Sequence, residues 1–184
     1  MSWVEKKIPK CTKCGCEKFE KTGPAELKCT GCLTLYCFLG EKTIPKLIAK
    51  KGRIDSLPFS ICSNKIIGRG DRESNDSKLG YVKIMGENNG SPEENTWVRN
   101  PCVSHKHAKI EVKEELMAEN EGEKLVRLYT RRTCSIIDLG SSYGTAVNDR
   151  LLTSGEKTEL HHNDKITLGV MREAIPTIFI FKEE

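Results

Sequence analysis

The sequence predicts a mainly β protein: a β-sandwich of about eleven short strands over residues 53–184, preceded by a small cysteine-rich module. Three observations predict it. Short runs rich in Val, Ile, Thr, Tyr and Phe alternate with Gly, Asn, Asp, Ser and Pro along the larger segment, the pattern of strands and turns in a sandwich or barrel. Six of the nine cysteines lie between Cys11 and Cys37, and the other three are scattered singly. Charge divides at the same place: residues 1–52 carry 11 Lys against 5 acids, a net of +6, and residues 53–184 carry 19 basic and 21 acidic residues, a net of −2. The boundaries that follow are a module at 1–40, a lysine-rich linker at 41–52 and the sandwich at 53–184. No internal repeat or low-complexity tract stands out.

The strands expected in order are Ile54–Phe59, Lys65–Ile67, Tyr81–Met85, Thr96–Val98, Ala108–Val112, Leu125–Tyr129, Cys134–Leu139, Thr145–Val147, Thr158–Leu160, Lys165–Leu168 and Thr177–Phe181. Each is three to six residues long and bounded by turn formers. Lys113–Lys124 departs from the pattern. Its Glu, Met and Ala favour helix but supply almost no apolar face, so it is expected as an exposed loop or a single helical turn.

Composition excludes several classes. The apolar set is 37% of 184 residues and charged residues are 30%, ordinary globular values that exclude disorder throughout. No run approaches the ~18 apolar residues needed to span a bilayer. Met1-Ser-Trp-Val-Glu-Lys-Lys-Ile lacks the apolar core of a secretory signal, so the expected location is intracellular, in cytoplasm or nucleus. An odd cysteine count fits a disulfide framework poorly, which leaves metal ligands and free thiols.

Cys11-Thr-Lys-Cys14-Gly and Cys29-Thr-Gly-Cys32-Leu are two Cys-x-x-Cys pairs with fourteen residues between them. Each can wrap a tight turn that aims two thiolates at one ion, and two such turns close a tetrahedral four-sulfur site with no open position for substrate. A redox Cys-x-x-Cys would want a βαβ surround, which is absent. Zn2+ in a structural role is the expected ligand, and over roughly residues 8–37 the segment resembles a zinc ribbon. Cys16 and Cys37 are surplus thiols that could substitute as ligands. The module is too short to bury a core, so the metal is expected to supply its folding energy, ~10–16 kcal/mol in comparable sites. Lys6, Lys7, Lys10, Lys13, Lys18, Lys21 and Lys28 could give weak, salt-sensitive nucleic-acid contact, although a lysine run is more often a solvated face.

In the larger segment, Ile66-Ile-Gly68-Arg69 is followed by Val103-Ser104-His105-Lys-His107 and then by Asp-Leu-Gly-Ser141-Ser142-Tyr143-Gly144-Thr145-Ala-Val-Asn148. Asn163-Asp-Lys-Ile-Thr-Leu-Gly169 and Thr177–Phe181 complete the order. Over about residues 53–182 this resembles the forkhead-associated (FHA) family, whose β-sandwich binds phosphothreonine peptides through loops at one end. The resemblance implies that Arg69, Ser104, His105 and Ser142 surround the phosphate and that Tyr143 lies beside the peptide. It also implies that Gly68, His107, Gly144, Thr145 and Asn148 shape and support the pocket. The chemistry agrees. A phosphothreonine brings about −1.5 to −2 charge and three acceptor oxygens, which call for a cation with a donor fork and for neutral donors.

The chain departs from the family in three places. Tyr143 stands where Asn is usual, Asp149 where Gly is common, and Gly86–Asn95 lengthens the 35-position gap between Arg69 and Ser104. His161 and His162 are expected as exposed loop residues. The function the resemblance implies is a non-enzymatic adaptor that recruits phosphothreonine-containing proteins, with no membrane role. The alternative is a nucleic-acid-associated zinc-ribbon protein whose sandwich is a degenerate interaction scaffold. An enzyme is not expected, because no catalytic set or phosphate-cradling Gly-Lys loop is present.

Overall fold

The computed structural model describes residues 8–51, 59–69, 81–86, 98–99, 102–171 and 176–184, and among these it is all β, with no helix. The chain forms two compact units: residues 1–43 with 114–131, and residues 44–113 with 132–184.

The C-terminal unit is a sandwich of two sheets. One sheet is built from β6 (Lys65–Gly68), β7 (Tyr81–Gly86), β8 (Val98–Arg99), the first part of β9 (Ala108–Asn120), the last part of β10 (Leu125–Asp138) and β13 (Lys157–Leu160). The other runs in the order β12 (Arg150–Leu151), β11 (Thr145–Val147), β14 (Lys165–Leu168), β15 (Thr177–Glu183), β4 (Pro45–Lys51), β5 (Phe59–Ser60). Period-2 alternation drives both. In β10 every second residue from Val126 to Asp138 is buried, and in β15 Thr177, Phe179 and Phe181 are. Ile67, Ile110, Cys134 and Ile136 from one sheet meet Leu47, Val147, Ile166, Leu168, Phe179 and Phe181 from the other in one continuous core. Each fully buried aliphatic or aromatic side chain contributes about 1.5–3 kcal/mol.

The N-terminal unit is a sheet of β1 (Phe19–Gly23), β2 (Glu26–Cys29) and β3 (Leu35–Glu41), with β10 pairing β3 in parallel from Leu125↔Leu35 to Thr130↔Glu41. Leu27, Tyr36, Val126 and Leu128 form its core, with Phe19, Phe38 and Leu116 packed against them.

Three sequence expectations are corrected. The segment expected to link the two parts is a strand: Pro45–Lys51 pairs with β15, with Ile48 opposite Ile180 and Leu47 opposite Phe181. Lys46, Ile48 and Lys50 alternate with Leu47 and Ala49, which pack into the sandwich core. Lys113–Asn120 is strand rather than loop or helix, because β9 continues to Asn120, and only Glu121–Lys124 forms an exposed turn into β10. Pairing and the burial of Leu116 override the helical propensity of the Glu-Met-Ala run. The cysteine module does bury a core, because residues 114–131 supply Val126 and Leu128 to it. Most of the Ile54–Phe59 strand, most of the Gly86–Asn95 insertion, and Lys6 and Lys7 lie outside the described residues.

Candidate functional site

Two places in the chain collect chemistry-bearing residues, one in each unit. In the C-terminal unit, loops that follow β6, precede β9, follow β10 and follow β14 are tied together by hydrogen bonds. The Arg69 amide donates to the Ser104 carbonyl at 3.0 Å, and the His107 amide to the Ile67 carbonyl at 2.9 Å. The Ser142 amide donates to the Ser104 hydroxyl oxygen at 3.1 Å. Gly169 donates to the Gly144 carbonyl at 2.9 Å, and Met171 to the Tyr143 carbonyl at 3.0 Å. Arg69, Ser104 and Ser142, far apart in sequence, are thereby neighbours. Arg69, Ser104, His105 and Tyr143 are half-buried and Ser142 is exposed.

Gly68 is required by this packing. A Cβ there would lie 2.0 Å from the His105 carbonyl oxygen, a backbone atom that cannot move aside cheaply. Gly144 has φ +76°, and a Cβ would meet Leu151 Cδ1 at 2.7 Å.

His107 is wholly buried and holds the loops from inside. Its Nδ1 accepts the Ser104 amide at 3.0 Å, so Nε2 carries the proton and donates to the Gly144 carbonyl at 3.1 Å. Burial pushes its pKa below the ordinary 6.5, against smaller raising effects of the Gly144 carbonyl and Asp138. The ring is neutral, which is the only state that can accept at Nδ1.

Asp138, at the end of β10, organises the next loop. Its Oδ1 accepts the amides of Gly140 and Ser141, each at 2.9 Å, and its Oδ2 accepts the hydroxyls of Ser141 and Thr145, each at 2.6 Å. Burial alone would raise this carboxyl's pKa, but the hydrogen bonds from Ser141 and Thr145 outweigh it and hold the group ionised. Sequence reasoning did not single it out, although an Asp followed by Leu-Gly-Ser carries the signature of an Asx turn.

Asn148 sits elsewhere, in the two-residue turn between β11 and β12. It and Asp149 have φ of 49° and 67°, the left-handed pair of a type I′ hairpin. The Asn148 side chain bonds Asp164 at 2.7 Å and the Lys165 amide at 2.9 Å. It therefore anchors the far end of β11 rather than the loops themselves. Asp149 fills its glycine-like position with an ion pair to Lys165. His161 and His162 are exposed, as expected.

In the N-terminal unit the sulfurs of Cys11, Cys14, Cys29 and Cys32 all lie within 4.8 Å of one another. The Cys11–Cys32 and Cys14–Cys29 separations are both 3.6 Å. A tetrahedron with metal–sulfur bonds of ~2.3 Å has edges of roughly 3.8 Å, so the donor set fits a metal ion. The two turns repeat each other. The amides of Lys13 and Gly31 each lie 3.4 Å from the first sulfur of their pair. The Gly15 amide bonds the Cys11 carbonyl at 2.9 Å, and the Leu33 amide bonds the Cys29 carbonyl at 3.0 Å. Gly15 and Leu33 share a left-handed backbone, φ 74° and 62°. The chain thus holds a five-residue repeat, Cys-Thr-x-Cys-Gly/Leu, that the sequence reading passed over because the second copy replaces Gly with Leu33.

Cys16 and Cys37 stay outside the four-sulfur set. Cys16 accepts the Lys18 amide at 3.4 Å, and Cys37 faces Glu26 at 3.9 Å, which together with burial pushes its thiol up. Tyr36, which sequence reasoning also missed, is fully buried beside the set. Its hydroxyl accepts the Thr12 amide at 2.9 Å and lies 3.1 Å from the Cys11 sulfur.

The C-terminal unit is thus a β-sandwich that carries its site on hydrogen-bonded loops at strand ends. The chain belongs to the FHA domain family, which it matches over residues 66–169, more than half its length. Among solved structures it is similar to full-length yeast Pml1p, at 22% identity and a TM-score of 0.46, covering 77% of this chain and 83% of that one. It is similar to the FHA domain of the CT664 protein of Chlamydia trachomatis, at 17% identity and a TM-score of 0.45, covering 77% and 98%. An FHA domain from Arabidopsis thaliana is 22% identical with a TM-score of 0.44, covering 76% and 85%. A comparison with curated proteins finds no match.

Proposed function

We propose that this chain is a non-enzymatic adaptor that binds phosphothreonine in partner proteins and carries a structural zinc ion in its N-terminal unit. The observation that carries the reading is the pair of hydrogen bonds through Ser104, from the Arg69 amide to its carbonyl and from the Ser142 amide to its hydroxyl. They bring the backbone of Arg69, Ser104 and Ser142 together, so that one guanidinium and two hydroxyls are available where a phosphate would need a cation and neutral donors. Because the Ser104 oxygen accepts from Ser142, its own proton is left to donate to the ligand. Arg69 supplies the charge and the planar fork, Ser142 a second hydroxyl, and His105 a further contact from the same loop. Tyr143 flanks the phosphate position where the family has Asn. Three or four charge-assisted bonds of ~1.5–3 kcal/mol each favour a phosphorylated ligand decisively over an unmodified one.

Gly68, His107, Gly144 and Thr145 act indirectly by fixing these donors, and Asp138 does the same for the Ser141–Ser142 turn. In the N-terminal unit Cys11, Cys14, Cys29 and Cys32 would hold zinc, with Tyr36 orienting Cys11 from behind. The ion would cross-link the two turns and take no part in a reaction. Four metal-binding cysteines and five others would suit a reducing, intracellular compartment.

The test is fluorescence anisotropy with degenerate phosphothreonine, phosphoserine and unphosphorylated peptides, using the wild type and Arg69→Ala. Phosphothreonine-selective binding that Arg69→Ala abolishes, with an unchanged thermal melt, is the expected result. Binding that ignores phosphorylation, or that survives in the variant, overturns the reading.

A further inference from the structure

The first cysteine turn runs on as Cys14-Gly15-Cys16, so a fifth thiol follows a metal donor by two positions and stays outside the four-sulfur set. Gly31, in the second turn, shows how closely it packs there. Both turns read Cys-Thr-x-Cys, and the variable position is an exposed Lys13 in the first and Gly31 in the second. Gly31 does not share the left-handed backbone of Gly15, so space and not conformation excludes a side chain from it. A Cβ on Gly31 would lie 3.1 Å from Cys16 Cβ, 3.3 Å from Cys14 Sγ and 3.4 Å from Cys16 Sγ. Both sulfurs therefore border one point beside Gly31.

Cys16 is held in this place. Its carbonyl accepts the Cys11 amide at 2.8 Å, and its sulfur accepts the Lys18 amide at 3.4 Å. Cys14 is exposed and Cys16 half-buried, whereas Cys11 and Cys29 are buried, so the two neighbouring sulfurs are the ones a small solute reaches. Gly15 between them lies in open space: a Cβ on it would meet nothing within 4 Å. Four sulfurs already close a tetrahedral site, so the fifth thiol adds nothing to metal binding. It does stand where it can capture one of the donors.

We propose that Cys16 is a site of oxidation by hydroperoxides, and that its oxidation forms a disulfide with Cys14 that takes one donor from the metal set and frees the ion. The proposal rests on the zinc reading above. The Cys16 sulfur attacks one peroxide oxygen and the O–O bond breaks. The departing hydroxide takes the thiol proton and leaves as water, and Cys16 becomes a sulfenic acid. The Cys14 sulfur then attacks the Cys16 sulfur: the S–S bond forms, the S–O bond breaks, and hydroxide leaves to take a proton from solvent. Two electrons pass from the sulfur pair to the peroxide, which ends as water. A disulfide closed across one exposed glycine is strained and open to thiols, so a dithiol reverses it.

The test treats the zinc-loaded full chain with hydrogen peroxide, follows metal release with a chromogenic chelator, and maps the cysteines by alkylation, trypsin and mass spectrometry. Cys14 and Cys16 share the tryptic peptide Cys14–Lys18, which should escape alkylation and be lighter by two hydrogen atoms. Dithiothreitol with added zinc should restore both the reduced peptide and the bound metal. Cys16→Ser should hold zinc at the wild-type stoichiometry and release it about tenfold more slowly under peroxide. Cys62→Ser, which removes an exposed thiol of the other unit, should stay within about twofold of the wild-type rate. Equal release rates for Cys16→Ser and wild type overturn the proposal, as does a disulfide that joins Cys16 to Cys29 or omits Cys16. A Cys16→Ser chain that no longer holds zinc makes Cys16 a ligand and overturns it too. A wild type that carries no zinc before oxidation overturns the metal reading and the release step with it, and the peptide mass still decides the disulfide.

Discussion

His107 shows how one buried side chain can couple loop geometry to pH. Its neutral ring accepts from Ser104 and donates to Gly144, and burial keeps its pKa below the ordinary 6.5. In the unfolded chain the same group titrates near 6.5, so above that value neither state binds the proton and the stabilisation is complete. As pH falls from about 6.5 through the folded value, the unfolded chain takes up a proton first and stability is lost. The denaturation midpoint of the wild type should therefore drop between pH 7.5 and pH 5.5, more steeply than that of His107→Asn, whose Oδ1 can still accept the Ser104 amide. Equal pH slopes for the two proteins would show that His107 does not titrate with folding. At this scale the sequence was informative about residues that belong to a recognisable order: Arg69, Ser104, Ser142 and the four paired cysteines are brought together. Asp138 was passed over although its donors Gly140, Ser141 and Thr145 follow it closely in the chain. The sequence was silent about Tyr36, whose role comes from a cysteine 25 positions away that only folding brings near.

Among the elements, the hairpin of β9 and β10 carries the largest difference between sequence and structure. Its tip, written in Glu, Lys and Arg, offers few of the β-branched residues that mark a strand. One face of it nevertheless contributes Leu116, Val126 and Leu128 to the N-terminal core. The strand pattern of the sandwich was legible because its apolar positions alternate locally, as in β10 and β15. The returning arm, Leu125–Tyr129, was expected as a strand and is one; the outgoing arm to Asn120 was not, because its half-buried Leu116 packs only against the N-terminal core. Leu128 is 2% exposed. Leu128→Ala should destabilise the N-terminal unit by about 2–5 kcal/mol, the usual range for emptying a packed Leu site. Chemical denaturation followed by Tyr fluorescence would measure it. A loss under about 1 kcal/mol would mean that the ribbon holds its core without the hairpin.

For the whole molecule, the two cores share no residue among those the structure describes. Among the described residues, the sandwich core runs from Leu47 to Phe181 without any residue of 8–43 or 114–131, and the N-terminal core draws on those segments alone. The N-terminal core is the smaller, and it is built around the four sulfurs: Cys11 and Cys29 are buried members of it. A metal bound there would be part of the packing, so its removal should cost that unit its fold, as in small zinc domains generally. The sandwich has apolar burial enough to stand without it. Chelation should therefore strip hydrogen-exchange protection from the amides of residues 8–43 and 114–131 and leave those of Ile136, Ile166 and Phe179 protected. Phosphopeptide affinity should persist in the chelated protein, since Arg69, Ser104 and Ser142 all belong to the unit that remains. Loss of protection at Ile136 and Phe179 together with the ribbon would show instead that β9 and β10 transmit unfolding from one unit to the other.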